Sequence, residues 1–90
     1  MYHITTSDYF IKSSRKFFQK HPELKDKFRV LIEALSNDPF QPQLKLHPLK
    51  GRLEGLYAIR LTFSYRITLT LQLSEHAITL LDIGSHDDVY

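Results

Sequence analysis

Residues 57–72, YAIRLTFSYRITLTLQ, determine the fold of this chain of 90 residues. Apolar and polar side chains alternate along most of the stretch, and a period of two residues is typical of strands with one buried face. The apolar set is Tyr57, Ile59, Leu61, Phe63, Tyr65, Ile67, Leu69 and Leu71. We therefore predict two neighbouring antiparallel strands that form a central hairpin.

Two arginines belong to the polar sets of these strands. Directly opposed residues of an antiparallel pair point to the same face, so Arg60 opposes either Arg66 or Thr68, through a loop with an odd number of residues or a bulge. In either register both arginines lie on the open face. Opposed cations cost stability, a cost that a phosphate site would tolerate because arginine donates paired, charge-assisted hydrogen bonds to phosphate. The alternative is two surface arginines that only favour solubility.

Outward from the hairpin, the N-terminal half predicts a short strand and two helices. Residues 2–6 form the strand, and Ser7 is typical of a helix N-cap. The first helix runs from Asp8 to about Lys20, and Pro22 suits the first turn of a second helix, which ends at 37–39. The candidate buried residues of these helices are Tyr9, Phe10, Phe17, Phe18, Leu24, Phe28, Leu31, Ile32 and Leu35.

The complete order of elements predicts an α+β fold. Residues 77–83, AITLLDI, form the last strand, so the order is β-α-α-β-β-β. We expect a single domain, residues 1–90, in which the N-terminal helical hairpin packs on one face of an antiparallel sheet. Because 42% of the residues are hydrophobic, the chain should fold rather than stay disordered.

Composition excludes several classes of protein. The chain has no cysteine, so it has neither disulfides nor a cysteine-based zinc site. No segment approaches the roughly 20 apolar residues of a membrane span, and the N-terminus lacks the pattern of a secretory signal. We therefore expect a soluble, cytoplasmic protein without a membrane partner.

The charge is uneven, although the net charge is only +2. Residues 41–66 carry five basic side chains against one acidic side chain, a local charge of +4. The basic side chains are Lys45, Lys50, Arg52, Arg60 and Arg66. This segment can attract phosphates or the acidic surface of a protein partner, and composition does not choose between the two.

Two histidines stand in motifs that could carry chemistry. His47 precedes a proline, which favours an extended backbone, and His86 lies in DIGSHDDVY, residues 82–90, which ends on Tyr90. Taken alone, each of them is an ordinary surface residue. A metal site built from His47, His76 and His86 lacks the spacing that metal sites show, so we expect no metal and no cofactor.

Two segments resemble the RelE/ParE superfamily of toxins from type II toxin–antitoxin systems. They are LHPLKGRLEGLYAIRLTFSYRI, residues 46–67, and residues 82–90. The family pattern is a Leu-Lys-Gly turn, a Leu-x-Gly, a strand with arginine, a turn and Tyr-Arg-hydrophobic. A final strand then runs into a histidine, with an aromatic residue four positions later. The resemblance is closest to the YafQ-like branch of RelE-type, ribosome-dependent mRNA interferases, and the helical hairpin agrees with it in architecture.

The resemblance implies a role for each candidate residue. His47 matches the histidine before Pro-Leu in the YafQ-like branch, which suggests that it occupies the position of the general base. His86 matches the C-terminal histidine of that branch, which is expected to act as the general acid. Tyr90 matches the C-terminal aromatic residue. Arg60 lies close to a second histidine of that branch, where other RelE-like toxins have arginine, and Arg66 matches the arginine of Tyr-Arg. Near the turn the chain departs from the family pattern, because Ser64 falls near the position at which the YafQ-like branch has an acidic residue. The identity of the base therefore remains open.

The implied function is an endoribonuclease that cleaves mRNA through its own 2′-OH without a metal ion and so inhibits translation. The implied partners are a cognate antitoxin, the ribosome and mRNA, with operator DNA bound only through the antitoxin. Lys45, Lys50 and Arg52 would then bind RNA. Two alternatives remain: a ParE-like DNA gyrase inhibitor, and a catalytically silent homologue that acts through its antitoxin and operator DNA.

Overall fold

Five strands and two helices form the fold in the computed structural model, which describes residues 1–85. They are β1 (His3–Thr6), α1 (Asp8–Lys20), α2 (Lys25–Asn37), β2 (His47–Pro48), β3 (Tyr57–Arg60), β4 (Tyr65–Gln72) and β5 (Ala77–Ser85). The sheet has the strand order β1-β5-β4-β3-β2. The predicted α+β class and the order of the predicted elements are confirmed. None of the helices in residues 1–85 is long and apolar enough to cross a membrane.

The sheet differs from the expectation in two respects. β1 pairs with β5 in parallel, whereas the other neighbouring strands are antiparallel. A parallel pair needs a long crossover between its strands, and residues 7–76 supply one. The second difference is β2, a strand of two residues that pairs with the start of β3 and that alternation cannot reveal at this length.

The two helices cover one face of the sheet. The Ser7 hydroxyl accepts the Phe10 backbone N–H at 3.0 Å, which confirms the N-cap. Pro22 begins a short 3₁₀ turn, so α2 starts at Lys25 rather than in the turn itself. The main core contains Phe10, Phe17 and Leu35 from the helices and Ile59, Ile67, Leu69 and Ile78 from the strands. The prediction for Tyr9 was wrong, because this side chain is 63% exposed.

The hairpin β3–β4 is shorter than predicted. Phe63 was expected to be buried, but β3 ends at Arg60 and Phe63 is 93% exposed. The backbone N–H groups of Leu61 and Thr62 both donate to the Tyr65 carbonyl. The Thr62 hydroxyl accepts the N–H groups of Ser64 and Tyr65, each at 3.2 Å. These four hydrogen bonds close a tight turn that carries Phe63 away from the sheet.

Part of the second sheet face is also covered. Ala58 and Thr68 oppose each other in the polar sets of β3 and β4, yet both are buried. Leu49 is buried as well and does not belong to the core beneath the helices. Its N–H donates to the Leu56 carbonyl at 2.9 Å, which ties residues 49–56 into a loop beside β3. This loop forms one wall of the site described next.

Candidate active site

One face of the sheet brings together the three site residues that the sequence places in its middle segment. Arg60 directly opposes Arg66, with an odd number of residues, 61–65, between them. The first of the two predicted registers is therefore confirmed. His47 opposes Ala58, which lies two positions from Arg60 on β3. Opposed residues share a face and diagonal neighbours lie about 7–8 Å apart, so His47 stands within reach of the arginine pair.

Two adjoining clefts open on this face and share His47 and Arg66. The first is lined by Lys45, His47, Arg60 and Arg66, with Phe63 at its edge. The second is lined by His47, Lys50, Arg52 and Arg66. We call the two together the basic cleft, defined by Lys45, His47, Lys50, Arg52, Arg60 and Arg66. Neither part is lined by a carboxylate among the described residues, so its charge favours an anion.

The His47 ring is held in one orientation by a backbone hydrogen bond. Its Nδ1 lies 2.8 Å from the carbonyl oxygen of Lys45. Because a carbonyl can only accept, Nδ1 must carry the proton, and Nε2 of the neutral ring keeps its lone pair. Lys45 adopts a φ of 55°, an uncommon conformation for a residue other than glycine. The backbone conformation of residues 45–47 therefore orients the His47 ring so that Nε2 is available as a proton acceptor.

The two arginines sit in different environments. Arg66 is half-buried in β4, and this burial lowers the pKa of its guanidinium below its ordinary value. The group stays charged near neutral pH, and a desolvated cation gains from a nearby anion. The residue that pairs with Arg66 on β5 is Gly84, which has no side chain to fill the adjacent space. Arg60 is exposed, and its Cζ lies 5.8 Å from the centre of the Phe63 ring.

The C-terminal site residues, His86 and Tyr90, lie outside the described residues. The last described residue, Ser85, opposes Tyr65, which directly precedes Arg66 on β4. Within residues 1–85, no group of three or more metal-ligating side chains could hold an ion. Phe63 is the site residue that the sequence reasoning missed. The available signal was its place in Thr-Phe-Ser, a stretch of turn-forming residues where a buried phenylalanine is not expected.

The fold and the cleft define a class: a small α+β protein that presents a basic, histidine-containing cleft on the sheet face opposite its helical hairpin. No family model matches the chain, and no curated protein matches it either.

Similar solved structures cover the whole chain. YafQ from E. coli strain BL21(DE3) has a TM-score of 0.81 at 21% identity, covering 100% of this chain and 99% of that chain. A metal-bound toxin from Helicobacter pylori has a TM-score of 0.77 at 27% identity, covering 100% of both chains. The E. coli DinJ–YafQ complex gives 0.79 at 21% identity, covering 100% of this chain and 99% of that chain. The chain therefore has the YafQ-like fold of the RelE/ParE toxins, and the resemblance seen in the sequence is confirmed at the level of the fold.

Proposed function

We propose that this protein is the toxin of a type II toxin–antitoxin pair and that it cleaves ribosome-bound mRNA in the cytoplasm. The observation that carries the proposal is the basic cleft, in which a histidine with an accepting Nε2 shares one sheet face with two opposed arginines. The fold supports it, since YafQ, alone and in the DinJ–YafQ complex, has this architecture.

The proposed reaction uses the nucleophile that RNA carries. Nε2 of His47 accepts the proton of a 2′-OH, and the 2′-oxygen attacks the adjacent phosphorus. The bond from phosphorus to the 5′-oxygen then breaks, and His86 supplies the proton that the departing oxygen needs. The products are a 2′,3′-cyclic phosphate and a 5′-hydroxyl.

The arginines stabilise the charge that builds up on the phosphorane. A guanidinium donates two parallel hydrogen bonds to a phosphate, and the opposed pair can contact both non-bridging oxygens from neighbouring strands. Because these cations are already in place, the transition state gains more from them than from mobile water. Lys45, Lys50 and Arg52 line the same cleft and would neutralise phosphates of adjacent nucleotides.

Primer extension on ribosome-bound mRNA tests the proposal directly. The purified protein should produce discrete cuts whose upstream fragments end in a 2′,3′-cyclic phosphate. A supercoiling assay with DNA gyrase tests the ParE-like alternative in parallel. Inhibited supercoiling with intact mRNA would replace the proposal with that alternative, and activity in neither assay would favour the silent homologue.

Removal of either opposed arginine should strongly reduce cleavage. We expect Arg60→Ala or Arg66→Ala to lower the single-turnover rate by about 10²-fold or more, the scale of losing one oxyanion-hole donor. The fold should persist, because both side chains lie on the polar face. Arg29→Ala is the matched control, since Arg29 is an exposed arginine on α2 that pairs with Asp26 at 3.1 Å. An Arg66→Ala protein that is unfolded by circular dichroism would make this residue structural instead.

A second prediction concerns the antitoxin. We expect tight binding to a partner whose acidic or helical segment covers the helical hairpin, the basic cleft or both. A groove beside α2 offers an apolar part of such a surface and is lined by Val30, Leu31, Ala34 and Leu61, with Lys27 and Arg60 also in its wall. Co-expression with the product of the adjacent gene, followed by size-exclusion chromatography, should give one complex. Two monomers that elute separately at micromolar concentration would contradict the prediction.

A further inference from the structure

Phe63 is an aromatic ring held out into solvent by a well-ordered turn. It is 93% exposed, although its neighbours Leu61 and Tyr65 are buried and half-buried. The four hydrogen bonds that close residues 61–65 hold the backbone on both sides of it. Exposing a large apolar side chain forgoes the free energy that burial would provide, so an exposed ring on a hydrogen-bonded turn suggests a binding role.

The surroundings of the ring are cationic. The guanidinium carbon of Arg60 lies 5.8 Å from the ring centre, which is within the range of a cation–π contact. Phe63 also lines the same part of the basic cleft as His47 and Arg66. The ring therefore has a cation on one side, solvent on the other and the basic cleft beside it.

We propose that the exposed face of Phe63 is a nucleobase site, which stacks on a base of the nucleotides flanking the scissile phosphate. Aromatic side chains bind bases of any sequence in this way, because every base has a π-face. Arg60 links the two subsites, since one guanidinium contacts the ring and lines the phosphate cleft. The inference rests on RNA as the proposed substrate, but it does not depend on which groups transfer protons.

The other occupant to consider is a protein, because Phe63 also borders the apolar groove beside α2. The arginine against the ring and the lysine and histidine in the adjoining cleft favour a planar base that brings its own phosphate. An apolar protein side chain would leave the arginine and the lysine without a counter-charge. If Phe63 bound only a protein, Phe63→Ala would impair antitoxin binding and leave RNA binding unchanged.

The chain contains no tryptophan, so Phe63→Trp creates a single fluorescent probe at the site. The probe ligand is a short RNA with 2′-O-methyl groups throughout, which cannot be cleaved through the 2′-oxygen. We expect its binding to quench the fluorescence of Phe63→Trp. An abasic oligonucleotide of the same length and charge should bind with little quenching. Leu73→Trp is the matched control, because Leu73 is 54% exposed and follows β4 at its opposite end.

Affinity gives the second measurement. Phe63→Ala should weaken binding of the base-containing RNA by about 5- to 150-fold, the effect of losing one stacked base. Its affinity for the abasic oligonucleotide should not change, and Phe63→Trp should bind the RNA as well as the wild-type protein. Circular dichroism should show the same fold in all variants, since the side chain is exposed.

Three results would overturn the nucleobase site. They are RNA binding with unchanged Phe63→Trp fluorescence, an equal loss of affinity for both oligonucleotides in Phe63→Ala, and a Phe63→Ala defect confined to antitoxin binding. Each of these leaves cleavage by the wild-type protein intact and so differs from failure of the proposed function. Quenching by RNA without any cleavage on the ribosome would keep the site and reject the endoribonuclease. Absence of RNA binding in every variant would reject the nucleobase site, and primer extension on the ribosome would still decide the proposed function.

Discussion

His47→Ala is expected to slow cleavage of ribosome-bound mRNA by about 10²–10⁴-fold, the usual contribution of a general base. The reason is local geometry: the hydrogen bond from Nδ1 to the Lys45 carbonyl leaves Nε2 as the proton acceptor. Single-turnover primer extension measures the effect.

The sheet offers a matched control for this variant. His3 is also an exposed histidine, and it lies on β1 at the opposite edge of the sheet from β2. His3→Ala should cleave at the wild-type rate. His47→Ala loses one exposed hydrogen bond, so its free energy of unfolding should fall by no more than about 1 kcal/mol. A His47→Ala rate within a few-fold of wild type would assign the base to another group.

The sequence predicts the arginine face because a period of two residues allows few registers. Once Arg60 and Arg66 belong to the polar sets, every antiparallel register that buries the apolar sets puts both on one face. The structure selects the direct opposition through the turn at 61–65. This part of the site follows from local pattern alone, which is why it could be predicted.

Other features depend on contacts that a local pattern does not contain. Phe63 continues the alternation of β3, but the turn closes before the ring reaches the sheet. The Tyr65 carbonyl accepts two backbone N–H groups, and the Thr62 hydroxyl accepts the Tyr65 N–H. Ala58 and Thr68 look solvent-exposed by period, yet both are buried on the face that also holds His47. Tyr9 fits the pattern of α1 but remains outside, because Phe10 and Phe17 supply the face that packs on the core.

The tautomer of His47 also required the structure. A histidine before proline is compatible with either tautomer, and only the position of the Lys45 carbonyl settles which nitrogen carries the proton. That position depends on the left-handed conformation of Lys45, which few residues other than glycine, asparagine and aspartate adopt. A lysine gives no sequence signal for it.

The second large effect on the cleavage rate is expected for a change of His86, the proposed general acid. His86→Ala should slow cleavage by about 10²–10⁴-fold, because the 5′-oxygen would leave without a proton donor. In the sequence His86 follows Ser85, which pairs with the neighbour of Arg66.

If the two histidines act as a pair, the double variant His47→Ala/His86→Ala should be little slower than the slower single variant, because groups that work as a unit are non-additive. Antitoxin binding should stay at the wild-type level in His86→Ala. His86→Ala cleavage at the wild-type rate would remove the C-terminal segment from the catalytic site and leave its histidine an ordinary surface residue.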